Sequence, residues 1–236
     1  MPSIVSPIPL AGACPIDLAT PTNLLDDRGR LDADRMAEHI ARTLEAAGAS
    51  YGYGGYGEVR RVYTSPAFAE ETPTGIRYRT VHLGLDVWAP AGTRVRAPLP
   101  ARIHSVGIDA APLTYGPVVI LQHNSPIGPT FYTLYGHLST EDVVAYRSQL
   151  ANGKSVAFAA GDTVGTVGGR HENGGWPPHL HFQVIQDLQG MHGDYPGVAF
   201  PERAQEMLAN CPNPYPFFPD LPTGAQPNVS RTGFSE

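Results

Sequence analysis

The chain has 236 residues, 42% of them hydrophobic, with 26 glycines, 24 prolines and a formal net charge of −6. It is long enough to bury a sizeable single core, and without an internal repeat or low-complexity tract it reads as a turn-rich globular protein. The acidic balance offers no electrostatic footprint for DNA, RNA or an anionic membrane, and no run of about 18 apolar residues offers a membrane span, so nucleic-acid and membrane partners are not expected.

The first thirty residues read as an extended arm. Met1 to Leu25 contains no basic residue and is interrupted by Pro2, Pro7, Pro9, Pro15 and Pro21. It therefore does not read as a secretory leader, which makes a cytoplasmic location the expectation. The only cysteines, Cys14 and Cys211, are accordingly expected to be reduced. A helix is predicted from Ala33 to Ala47. Met36, Ile40 and Leu44 recur every four residues, Asp32 is placed to cap its start and Gly48 to end it. Its apolar stripe reads as packing surface. Tyr51-Gly52-Tyr53-Gly54-Gly55-Tyr56-Gly57 follows, either as a mobile wall beside a ligand or as a loop that packs its tyrosines on a sheet.

From Tyr78 the pattern turns to strands. Val95 to Val106, Val118 to His123, Phe131 to Tyr135, Thr163 to Val167 and His179 to Ile185 are β-branched or aromatic runs separated by Gly and Pro turns. The expected fold class is mainly β, with antiparallel sheets folded against each other, an N-terminal arm and one helix. Three regions follow: 1–77 for the arm, helix and Gly/Tyr-rich loop, 78–200 for the β domain, and 201–236 for a C-terminal extension. The loop His171-Glu172-Asn173-Gly174-Gly175-Trp176-Pro177 leads into the last long strand. Trp176 is a candidate apolar wall, Glu172, Asn173 and His171 are candidate polar contacts, and Tyr135 is a further candidate substrate contact. The alternative is that Pro177 and Pro178 only stiffen the approach to His179.

His179 and His181 carry the chemistry. Alternation in a strand puts both imidazoles on one face. Two imidazoles alone are too few for a metal, but His82 and Asp86 add an imidazole and a carboxylate four positions apart. With one member of the later pair they meet the three-ligand pattern of a catalytic zinc, whose fourth position is left to water. In a straight strand His82 and Asp86 lie about 13 Å apart, near the limit of what one ion bridges. A bend at Gly84 is therefore predicted.

The set His82-x-x-x-Asp86, Gly136-His137-Leu138-Ser139 and His179-Leu180-His181, in that order and spacing, resembles the zinc metallopeptidases of the lysostaphin and LytM type, peptidase family M23. The likeness is strong from Thr80 to Gln186 and loose elsewhere. It implies one Zn2+ held by His82, Asp86 and His181, with His137 and His179 as unliganded catalytic histidines. His179 is the candidate base and His137 the candidate donor to the oxyanion, and the sequence leaves the two roles exchangeable. The stretch around Trp176, with Gly193-Asp194-Tyr195-Pro196-Gly197, is similar to a branch of such proteins often appended to class III aminotransferase-like enzymes. The implied function is metal-assisted hydrolysis of a peptide or amide bond. The substrate the resemblance implies is a peptide such as one derived from peptidoglycan; the alternative is a small cytosolic amide, short peptide or amine-derived metabolite. A non-catalytic scaffold is the third reading, disfavoured because none of the five residues is missing. The sequence carries no signal for the oligomeric state.

Overall fold

A computed structural model of the protein describes residues 4–20, 23–124 and 128–221. The strands in chain order are β1 (Cys14–Pro15), β2 (Gly52–Gly54), β3 (Ala69–Thr72), β4 (Gly75–Tyr78), β5 (Val81–His82), β6 (Leu85–Trp88) and β7 (Arg94–Arg96). They continue with β8 (Ala101–Asp109), β9 (Gly116–His123), β10 (Phe131–Gly136), β11 (Ala157–Phe158), β12 (Thr163–Thr166), β13 (His179–Ile185) and β14 (Val198–Ala199). Three helices accompany them: α1 (Ala33–Ala47), α2 (Thr140–Ala151) and α3 (Ala204–Asn210).

One eight-stranded sheet, in the order β1-β2-β6-β13-β10-β9-β8-β11, is the frame. Every neighbouring pair in it is antiparallel except β1 with β2. Its centre is covered on both faces. Along β9, Val119 and Leu121 join one apolar cluster while Val118 and Ile120 join another, which is why Val118 to Leu121 reads as an unbroken apolar run instead of an alternation. Three two-stranded ribbons, β7/β12, β5/β14 and β3/β4, complete the β structure.

Helix α1 has the bounds its sequence predicts. The Asp32 side chain accepts from the N–H groups of Asp34 and Arg35, and Gly48 closes the helix in the left-handed region. Met36 and Ile40 are buried in a cluster with Leu18, Leu24, Trp88 and Trp176.

Two sequence expectations are corrected. The run Val95 to Val106 is two strands, because Pro98 and Pro100 lie between β7 and β8 and cannot donate to a ladder. Among the described residues there are three α-helices where one is predicted. The N-terminal stretch is extended and packed on the domain: Ile8, Leu10, Leu18 and Leu24 are fully buried, and β1 pairs with β2 inside the main sheet. The Gly/Tyr-rich loop packs on that sheet too, with Tyr53 edge-on to Tyr215 and the Tyr56 hydroxyl donating to the Cys211 carbonyl. Cys14 and Cys211 are buried free thiols in different clusters. Of the C-terminal extension, residues 222–236 lie outside the described residues. Among the described residues no helix is long and apolar enough to cross a membrane.

Candidate metal centre and catalytic cleft

Strand β13 sets the geometry. Its alternation directs Leu180, Phe182 and Val184 into the core and places His179, His181 and Gln183 on the other face. Register with β6 pairs His181 with Asp86, and register with β10 pairs His181 with Gly136, the residue before His137. His82 comes from β5, which pairs with β14 and not with the main sheet. The chain bends at Gly84 between the two strands, so residues four apart reach one point.

Gly84 is required for space as well as for the bend. A Cβ there would lie 2.6 Å from Cε1 and Nε2 of His181 and 2.8 Å from the Phe182 carbonyl oxygen. Only a residue without a side chain lets the loop close over the imidazole.

His82, Asp86 and His181 converge as a group able to hold a metal ion. His82 Nε2 lies 3.0 Å from His181 Nδ1 and 3.3 Å from Asp86 Oδ1, and His181 Nδ1 lies 3.1 Å from Asp86 Oδ1. The outer contacts settle which ring nitrogens carry protons. His82 Nδ1 is 3.0 Å from the Gly55 carbonyl and His181 Nε2 is 2.9 Å from Gln183 Oε1, so each ring is assigned its N–H on that side, facing an acceptor. Both inner nitrogens are then bare. Two nitrogen lone pairs and a carboxylate oxygen face one another at about 3 Å with no proton to share, an arrangement a bound cation resolves. All three residues are at most 3% exposed. The donor set of two imidazoles and one carboxylate therefore fits a zinc-type ion.

Electrostatics agree. Burial by itself raises the Asp86 pKa, but His82 and Arg60 beside it hold the carboxyl well below its usual range. Burial, reinforced by Arg60, lowers His82 to about 4. His82 and Asp86 are therefore in their ligating protonation states at neutral pH.

Next to it stand His137 and His179, ring centroids 4.1 Å apart. His179 Nδ1 is 2.8 Å from the Pro177 carbonyl and its Nε2 is 3.9 Å from Asp86 Oδ1. His137 Nδ1 is 3.0 Å from the Asn173 carbonyl. Both rings therefore donate from Nδ1 to a backbone oxygen and keep Nε2 as the free nitrogen. Burial keeps both neutral: His137 is held well below its ordinary pKa, with His179 adding to the effect, and His179 is lowered too, although Asp86 opposes the shift. His137 also has φ +63°, an uncommon backbone conformation for a residue with a β-carbon. Its main-chain N–H donates to the Tyr115 carbonyl and its carbonyl accepts from Gly168, which hold it there.

These residues line a cleft of about 530 Å³. Tyr63, Phe68 and Trp176 form an aromatic wall, with Tyr63 and Phe68 stacked at 4.3 Å and the Trp176 ring 6.1 Å from those of both His137 and His179.

The candidate substrate contacts separate. Trp176 lines the cleft. Tyr135 does not: it is fully buried in the core, its hydroxyl accepting from Thr133, because its odd place in β10 faces away from the site. Glu172 is structural, accepting from the N–H groups of Thr140 and Gly169. Asn173 is fully buried and donates to the carbonyls of Gly168 and Trp176. The His171 side chain is 83% exposed.

Sequence reasoning missed Arg60, Tyr115 and Gln183. Arg60 bonds Asp86, and Gln183 accepts from His181; the Tyr115 hydroxyl lies 3.2 Å from His181 Nε2. Only Gln183 had a readable signal, its alternation with His179 and His181 on one strand face.

Comparison with known proteins follows this geometry. Residues 80–193 match the profile of peptidase family M23. The catalytic domain of the antimicrobial peptidase lysostaphin from Staphylococcus simulans is 20% identical, with a TM-score of 0.41, covering 75% of this chain and 96% of that one. The catalytic domain of a prophage-encoded M23 protein from Enterococcus faecalis is 19% identical, with a TM-score of 0.36 and coverage of 61% and 88%. A zinc-containing peptidase from Vibrio cholerae is 23% identical, with a TM-score of 0.34 and coverage of 55% and 35%. No curated protein matches the chain.

Proposed function

We propose, from the match of residues 80–193 to peptidase family M23, that the protein is a zinc-dependent hydrolase of peptide or amide bonds. The observation that carries the reading is the convergence of His82 Nε2, Asp86 Oδ1 and His181 Nδ1 beside two neutral histidines with free Nε2 atoms. When bound by these three residues, the ion supplies positive charge that polarises the scissile carbonyl and acidifies water.

The histidines then have a defined sequence of protonation. Because both Nδ1 atoms are committed to backbone carbonyls, a neutral His137 and a neutral His179 each offer a proton acceptor and no donor to the cleft. One of them takes the proton of the attacking water at Nε2. The imidazolium so formed becomes the hydrogen-bond donor that stabilises the developing oxyanion and then protonates the leaving amine. With ring centroids 4.1 Å apart, two positive charges repel, so a single proton serves the pair. His179 is the base in this reading, supported by its Nε2 lying 3.9 Å from Asp86 Oδ1.

The aromatic wall and the modest cleft favour a short peptide or small amide. The test is mass spectrometry of zinc-loaded wild type and His179→Ala incubated with purified muropeptides and, in parallel, with a cytosolic metabolite extract. Cleavage of muropeptides by the wild type alone identifies a wall-peptide hydrolase. Change confined to the extract identifies a metabolite hydrolase. No hydrolysis in either by metal-loaded wild type would overturn the enzymatic reading.

A further inference from the structure

Among the described residues Arg60 is the one arginine that is completely buried. It lies outside the segment that matches the family profile, in the connection between β2 and β3. Its Nη1 donates to Asp86 Oδ2 at 2.7 Å and to the Tyr63 hydroxyl at 2.6 Å, and its Nε donates to Glu58 Oε2 at 2.7 Å. Glu58 is itself anchored, accepting from the Leu18 N–H. The guanidinium sits against Gly55, where a Cβ would be only 2.0 Å from Nη2. Gly55 in turn accepts from His82 Nδ1. One short loop therefore holds both Asp86 and His82 from behind.

Resting on the metal-site reading above, we propose that Arg60 is a positioning residue that fixes Asp86 as a one-oxygen ligand. It does so by occupying Oδ2 and leaving only Oδ1 facing His82 and His181. A carboxylate with both oxygens free can chelate an ion through both, which would fill the coordination position that water and the substrate carbonyl need. A buried guanidinium with a fixed fork prevents that rotation and keeps the carboxylate compensated when the ion is absent. Breaking such a buried pair leaves a charge without a partner, so the effect reaches metal binding as well as turnover. Arg60 has no access to the cleft and does not touch substrate.

The experiment compares full-length wild type, Arg60→Met and Arg60→Lys. Thermal melting establishes folding, zinc affinity is measured against a chromophoric chelator, and the visible spectrum is recorded with Co2+ in place of zinc. Wild type is expected to bind one ion and to give the intense Co2+ bands of a four-coordinate site. Arg60→Met is expected to weaken zinc binding about 10- to 100-fold and to give the weaker bands of higher coordination. Arg60→Lys keeps the charge without the fork, retains the fold more readily, and should shift the Co2+ bands in the same direction by a smaller amount. A folded variant of either kind with wild-type zinc affinity and a wild-type Co2+ spectrum would overturn the inference while leaving the metal site intact. Absence of stoichiometric metal binding in the wild type would overturn the metal site and the inference together.

Discussion

At the scale of the residue, five side chains carry the proposed chemistry and their burial makes their roles separable. Replacing His82 with Ala removes one of three donors, so chelator-resistant zinc should be lost. Replacing His179 or His137 with Ala should leave zinc bound and lower turnover by about 100-fold or more. Metal analysis beside a turnover assay checks both statements, and full activity in His179→Ala would exclude it as the base. Gly84 does no chemistry, but the space around it leaves no room for a side chain. Its Ala variant would drive a methyl group to 2.6 Å from the His181 ring, so a loss of about 1–3 kcal/mol is expected in denaturant unfolding, together with weaker metal binding.

At the scale of the element, α2 and the loop 168–176 depend on each other. Ser139 provides no side-chain cap to α2. The Glu172 carboxylate does that work from outside by accepting from the Thr140 N–H, while Asp142 on the first turn accepts from the Thr166 N–H and hydroxyl. Burial opposes ionisation of Glu172, but these N–H partners lower its pKa below the ordinary value. Glu172→Ala should therefore cost about 1 kcal/mol of stability, the scale of a lost helix cap, while zinc affinity stays unchanged. A substrate role would instead raise KM with no change in melting temperature. Helix α2 was not legible because its amphipathic pattern is blurred. Val143, Tyr146 and Leu150 share helical spacing, but Val144 between them is 48% exposed, so the apolar residues do not form one clean stripe. Helix α1 was legible because Met36, Ile40 and Leu44 stand against a polar remainder.

At the scale of the whole molecule, the metal-free protein should be sensitive to acid. His82 and His123 are both held near a pKa of about 4 by burial, with Arg60 adding to the shift at His82 and the Pro100 carbonyl opposing it at His123. In the unfolded chain a histidine titrates near 6.5. Between these values the unfolded state binds more protons, so stability is fully present above about pH 6.5 and is lost as pH falls toward 4. At pH 5 each group costs on the order of 2 kcal/mol. Melting temperatures of chelated protein should fall between pH 7 and pH 5, and an unchanged value would contradict the neutral, buried state of these rings.

What the sequence by itself determined is local. The spacing of His179 and His181 places both on one strand face, the interval from His82 to Asp86 demands a bend at Gly84, and the periodicity from Met36 to Leu44 with Asp32 and Gly48 bounds a helix. Each follows from rules that act within a few residues. Tertiary structure alone decided that Arg60 reaches Asp86 across 26 residues, that Tyr115 lies beside His181 across 66, that Tyr135 turns into the core, and that residues 1–77 supply strands to the central sheet. Those outcomes depend on which strands become neighbours and which face each presents. Pairing over long separations is set by collective burial on both sides of the sheet, and no short stretch of sequence contains that information.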